Sequence, residues 1–210
     1  MIINSIYQTT DIELCDLTAP VWRDGGAAKL NKYWSGIDAP LVRHSEVRSL
    51  WNDAAVYFRF FCEQDGPMVV NAEPRLDVKT IGLWDRDVCE VFVAPDLAQP
   101  DRYFEFEAAP TGEWLDLGIQ VTPEGRMTDW DFLSGMTVAN WIELHCVVIG
   151  MRIPWGAFGT HPIPGDRWRV NFFRCVGSGE DRGYLAWQPT HTQKPNFHVP
   201  EAFGELVFIE

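Results

Sequence analysis

Glutamates set in the middle of strand-like runs, with tryptophans close by, are the residues of this sequence best suited to chemistry. In LWDRDVCEVFVAPD, residues 83–96, a strand beginning near Val88 puts Cys89, Val91 and Val93 on one face and Val88, Glu90 and Phe92 on the other. Glu90 therefore stands on an otherwise apolar face, which is costly unless that face meets water or the carboxylate is hydrogen-bonded. In RYFEFEAAP, residues 102–110, the same alternation turns Phe104 and Phe106 inward and Tyr103, Glu105 and Glu107 outward. If these strands are neighbours, Glu90, Glu105 and Glu107 form an acidic patch bordered by aromatic rings; the plainer reading is a solvated sheet face. Trp84 lies in a loop, GLWDRD, that leaves it little to pack on. Trp187 belongs to YLAWQPTHTQKPNFHVPEAFG, a long polar segment stiffened by Pro189, Pro195 and Pro200, and rigid loops of this kind commonly carry recognition. An indole matches the C–H face of a pyranose, while charged or amide groups beside it bind the ring hydroxyls. Taken singly, each tryptophan is more often a core residue.

Other chemistries compete. Glu90 with Glu105 would serve a glycan-active enzyme as acid and nucleophile, since two carboxylates flanking a glycosidic bond suffice for hydrolysis. Exposed aromatics would equally serve a protein-interaction or assembly module. The acidic runs DRD, APDLAQPD and MTDWDF offer oxygen ligands, Asp85 and Asp87 among them, without the regular spacing of an EF-hand. The five histidines show no metal-ligand spacing. Five scattered cysteines without a CxxC pair indicate neither a zinc site nor a disulfide framework, so reduced core thiols are expected.

The elements that must hold these residues are strands. Segments such as AAVYFRFFCEQD, DVCEVFVAPD, WIELHCVVIGMRIP, DRWRVNFFRC and FGELVFIE alternate in hydrophobicity and are separated by Gly, Pro, Asp and Asn. About eight strands can be read, with no sustained 3.6-residue period; IPWGAFG is the best single helical turn. With no crossover helices, the expectation is an all-β, single-domain antiparallel β-sandwich over residues 1–210, jelly-roll-like or immunoglobulin-like in its layering, with one or two short helical turns. Residues 1–43 are less regular, and Trp22 and Trp34 suggest that they pack on the body. The chain has ten Trp, thirteen Phe and five Tyr among 210 residues, more aromatic surface than packing demands. A formal charge of −13 argues against nucleic acid or an anionic membrane as partner. No apolar run approaches a membrane span and no secretion signal is seen, so a cytoplasmic location is expected as the sequence stands, or a secreted or periplasmic one if translation starts upstream.

LWDRDVCEVFVAPD, YFEFEAAPTGEWLD, MRIPWGAFG, GDRWRVNFFRC, YLAWQPT and FGELVFIE together resemble the family 9 carbohydrate-binding modules and their standalone relatives, from about Trp22 to Glu210. The resemblance implies a β-sandwich, structural calcium, no catalysis, and a slot between two tryptophans that takes a xylan- or cellulose-related sugar. It also implies a glycoside hydrolase as partner, because many members are appended to one. By position Trp84 matches the first tryptophan, Glu90 the glutamate six residues later, and Trp187 the second tryptophan. Neutral saccharide binding is therefore expected, with Trp84 and Trp187 stacking and Glu90 and Glu105 accepting hydroxyls. Asn171, Gln188 and Arg174 are further donors, while Arg86 and Arg102 offer charge partners for the acidic patch. Glu105 departs from the pattern, standing where the xylanase-linked modules carry a basic residue. The insertion HTQKPNFHVPEA is placed either to cover the slot or to supply His191, Asn196 and His198 to a different ligand.

Overall fold

Alternating side chains fold this chain into strands almost throughout. The computed structural model describes residues 1–210. In chain order the strands are β1 (Ile2–Tyr7), β2 (Gly26–Leu30), β3 (Lys32–Tyr33), β4 (Ser45–Trp51), β5 (Ala55–Glu63), β6 (Val88–Ala94) and β7 (Arg102–Ala108). They continue with β8 (Trp114–Thr122), β9 (Gly125–Asp129), β10 (Thr137–Ile142), β11 (Cys146–Pro154), β12 (Arg167–Val176), β13 (Gly183–Ala186) and β14 (Gly204–Ile209). Hydrogen bonding runs in the order β10-β11-β5-β4-β1-β14-β12-β6-β7-β8-β9, with β2 on β4 and β13 joining β12 to β3. Pairing is antiparallel except where β1 lies parallel to both β4 and β14.

This single sheet curls so that its halves pack face to face as a β-sandwich. Phe58 and Phe60 of β5 meet Phe172 of β12 edge to face at 5.5 and 6.1 Å, and a continuous apolar core forms between the two halves. A second cluster, including Phe92, Tyr103, Leu117, Phe173 and Phe197, covers part of the opposite face of β6, β7, β8 and β12. β6 is thus buried on both faces, which is why its apolar run is nearly unbroken and why Glu90 stands out within it.

Several expectations need correction. The N-terminal segment is not merely packed on the body: β1 lies inside the sheet, with Ile3 and Ser5 buried and Ser49 Oγ donating to Ser5 Oγ at 2.8 Å. A parallel strand joins a sheet with no hairpin turn to announce it. Six short 3-10 turns occur instead of one or two: Pro20–Arg23, Leu41–Arg43, Leu83–Asp85, Trp155–Ala157, Gly179–Asp181 and Pro200–Ala202. Each is a single local turn and leaves no helical period to read. The turn at Trp155–Ala157 is the one IPWGAFG implies. Cys62, Cys89 and Cys175 are buried free thiols, as expected, whereas Cys15 is exposed and Cys146 only half-buried, so the expectation of core thiols does not hold for these two.

Trp187 requires the largest correction. Its backbone N–H donates to Phe172 O at 2.9 Å, continuing the ladder one residue beyond β13. Alternation then sends Leu185 and Trp187 into the main core and Ala186 to the other face. The indole is only 5% exposed, lies 5.5 Å from the Phe172 ring, and occupies the space above Gly204, where an added Cβ would stand 2.5 Å from its Cζ3. It is a core plug and cannot face a ligand. Trp187→Ala, which empties this site, is expected to cost about 3–5 kcal/mol of stability, read as a lower guanidinium midpoint in equilibrium unfolding.

Candidate functional site

Strand register assembles the acidic group. Glu90 of β6 lies opposite Glu107 of β7, and Phe92 opposite Glu105, so Glu105 is the diagonal neighbour of Glu90. One carboxylate oxygen from each of Glu90, Glu105 and Glu107 lies within 4.8 Å of the others. All three side chains are buried, and both oxygens of Glu107 and one of Glu105 have no hydrogen-bond partner outside the acidic group, within which Glu105 and Glu107 can share a proton. Cys175 of β12 offers a weak S–H bond to Glu90 at 3.5 Å. Burial, reinforced by the neighbouring carboxyls, raises Glu90 and Glu107 well above the usual carboxylate range, and burial pushes Glu105 up to about 7. His198 approaches Glu105 at 4.0 Å and shares a 2.9 Å hydrogen bond with Tyr103 Oη. Burial drives this imidazole down to about 3, so at neutral pH it brings no positive charge to the carboxyls.

Above Glu90 and Glu105 opens a cleft of about 340 Å³, within the range of small-ligand sites. Trp84, Trp130 and Arg126 line it, and Asn196, Phe197 and His198 face it from the loop after Trp187. That loop is pinned by Phe197, stacked on Phe173 of β12 at 4.0 Å and 10°.

Both tryptophans of the cleft are held by their backbones. Trp84 sits in the turn Leu83–Asp85, which follows Gly82 at φ 81, a left-handed conformation that favours glycine. Leu83 is buried beneath it, and Arg182 donates to Trp84 O at 2.5 Å, to Arg86 O at 2.9 Å and to Gly177 O at 2.8 Å. Trp130 follows β9, and its carbonyl accepts from Lys79 Nζ at 3.2 Å. The same ammonium is paired with Asp116 at 2.7 Å and binds Phe132 O at 2.5 Å. The indoles, 36% and 45% exposed, have ring centroids 6.4 Å apart and are inclined by 46°. A pyranose held between two parallel faces needs about 7–8 Å, two contacts of about 3.5–4.0 Å. These rings therefore form an inclined wall on one side of the cleft, not two sides of a slot.

Of the residues expected from sequence, Trp84, Glu90 and Glu105 are brought together. Arg174 points to the inner face of β12, donating to Glu63 O at 2.7 Å and Gln64 Oε1 at 2.6 Å. The Asn171 amide is closed on the backbone of Gln188 at 2.9 and 3.0 Å, and Gln188 lies beside it, outside the cleft lining. Arg86 pairs with Glu113 at 3.4 Å and Arg102 contacts Gln99, so neither neutralises the acidic group. Asp85 and Asp87 do not converge as a calcium site: Asp87 accepts from Gly177 N at 2.7 Å and faces the Arg182 guanidinium at 3.9 Å. Asn196 and His198 come to the cleft from the long loop, whereas His191 contacts Ser35 O, away from the cleft lining. Trp130 and Arg126 were not singled out; the only signal was the tryptophan in MTDWDF, and nothing in its spacing ties it to Trp84.

The sequence pattern of carbohydrate-binding family 9 matches residues 31–208. The chain belongs to that family. A protein of Arthroderma benhamiae named an extracellular protein is 26% identical over 147 residues, 60% of this chain and 63% of its own length. The chain thus spans less than two thirds of that relative. A solved structure from Bacteroides uniformis superimposes with a TM-score of 0.75 at 18% identity, covering 99% of this chain and 98% of its own. A family 9 module from Caldicellulosiruptor kristjanssonii in complex with cellotriose gives a TM-score of 0.69 at 15% identity, covering 100% of this chain and 94% of that one. The same comparison with its glucose complex gives 0.69 at 14% identity, over 99% and 95%. These likenesses establish the sandwich, and family membership supports saccharide binding as the activity.

The raised Glu105 pKa has a readable sign. Its folded value of about 7 exceeds the ordinary 4.5, so its proton stabilises the fold fully below about 4.5, and that contribution is lost as pH rises through about 7. Difference infrared spectroscopy in metal-free buffer, from about pH 5 to about 8, should show a buried protonated-carboxyl band fading with a midpoint near 7, and Glu105→Gln should lack that step.

Proposed function

We propose that this family 9 chain binds a neutral saccharide, without catalysis, in the cleft over Glu90 and Glu105. The single observation that supports it is the arrangement of an exposed indole wall, Trp84 and Trp130, beside buried carboxyls at one mouth. Trp84 and Trp130 offer apolar faces to the C–H side of a hexose. A protonated carboxyl both donates and accepts, so Glu90 and Glu105 suit hydroxyl groups, which do the same. Arg126, Asn196 and the neutral His198 add polar groups around the rim. Cellotriose and glucose, found in the complexes of a related module, are the first ligands to try.

A glycosidase reading is less favoured by the geometry. Glu90 and Glu105 rise side by side from adjacent strands of the floor, whereas hydrolysis places acid and nucleophile on either side of the scissile bond.

A glycan array followed by calorimetric titration with glucose and cellotriose tests the proposal. Trp84→Ala and Trp130→Ala are each expected to weaken binding about tenfold, through lost stacking and apolar contact. Trp141→Ala removes an exposed indole on β10 outside the cleft lining and should leave affinity unchanged. Absence of any glycan ligand, or an affinity indifferent to Trp84→Ala, would sink the reading, and product formation lost in Glu90→Gln would make the chain an enzyme.

A further inference from the structure

Three carboxyls on one buried sheet face are physically incomplete as they stand. Cross-strand like charges repel, and an ionised carboxylate withdrawn from water needs a partner. Among the ion pairs of the molecule, Glu90 and Glu107 take part in none, and Glu105 only approaches the uncharged His198. The Arg182 guanidinium is committed to three carbonyls and Asp87. The Glu107 side chain is fully buried, lies in register with Glu90, and finds no hydrogen-bond partner outside the acidic group, where only a proton shared with Glu105 can serve it. An apolar residue at position 107 would fill this place at no electrostatic cost, so the carboxyl calls for a ligand.

We propose that Glu90, Glu105 and Glu107 hold a divalent cation of calcium's size at the floor of the cleft. Oxygens on one calcium ion, each at about 2.3–2.6 Å, lie no more than about 5 Å apart, which suits a group contained within 4.8 Å. Magnesium yields its waters reluctantly and is ordinarily held by only one or two carboxylates, so it fits three converging ones less well. Two positive charges offset most of the charge of three carboxylates. Binding replaces the protons that burial otherwise keeps on them, so protons are released as the cation enters. Glu90 and Glu105 border the cleft while Glu107 lies below it. The cation's remaining coordination positions therefore open upward, where water completes its shell. Glu90 and Glu105 are the carboxyls that the saccharide reading uses in protonated form, so a bound cation would change how they meet hydroxyls, and titration without sugar tests the cation site apart from that reading.

Calorimetric titration of the metal-stripped full chain with calcium chloride, in the absence of sugar, is the test. One calcium should bind per chain, raise the Tm, and be favoured over magnesium; Glu105→Gln and Glu107→Gln should each weaken binding at least tenfold. No binding heat and no Tm change in the unaltered chain would overturn the proposal, as would calcium binding that both substitutions leave intact. Terbium(III) luminescence excited through tryptophan guards against variants that fail to fold. Emission from the unaltered chain should be displaced by calcium and reduced in Trp84→Phe, and emission that neither affects would place the ion elsewhere.

Discussion

The register of β6 between β7 and β12 is the constraint on which the rest depends. Because neighbouring strands must pair N–H to C=O, Glu90 cannot avoid Glu107 on one side and Phe173 on the other. A one-residue slip of β6 would turn Glu90 into the sandwich interior and move Val91 out of it, and a like slip of β7 or β12 would invert Glu105, Phe106 and Glu107 or Phe172. The aromatic interlock of Phe58, Phe60 and Phe172 makes that shift prohibitive. The same packing that secures the fold thereby forces carboxyls together on the outer face. An electrostatically unfavourable cluster persists because the hydrophobic register beneath it is not negotiable.

The wall above the cluster is built on a different principle. A large indole left half in water gains little from burial, so its position must come from the backbone. Arg182 and Lys79 perform equivalent tasks beneath the two indoles of the wall. Each spreads its donors over several carbonyls, including that of a tryptophan, and each is tied to a carboxylate, Asp87 or Asp116. Trp84 and Trp130 are thus anchored by the main chain while their rings stay uncovered. Preorganisation of this kind lowers the entropy lost when a ligand settles on a ring.

Much of the fold was legible because alternation is a local property. Val56, Phe58, Phe60 and Cys62, or Phe104 and Phe106, declare their faces without reference to the rest of the chain. The outward placement of Glu90, Glu105 and Glu107 could be read the same way, although their adjacency required an assumption about strand order. Arg174 was misjudged although its parity beside Phe173 already sent it to the other face. Trp187 failed because the ladder runs one residue further than the polar composition of its segment suggests. β1 and the pairing of Trp130 with Trp84 were not legible, since both arise from contacts between distant segments that leave no local mark.

The loop from residue 188 to 203 has both ends secured by features that owe nothing to the cleft. At one end the Trp187 indole is sunk in the core; at the other, Gly204 lies directly beneath that ring, with Met1 O close on its backbone, leaving no room even for a methyl group. The intervening residues supply Asn196 and His198 to the cleft. The loop is consequently an exchangeable cassette: its composition can drift, and with it the taste of the cleft for one ligand over another, while the framework to which it is riveted stays unaltered.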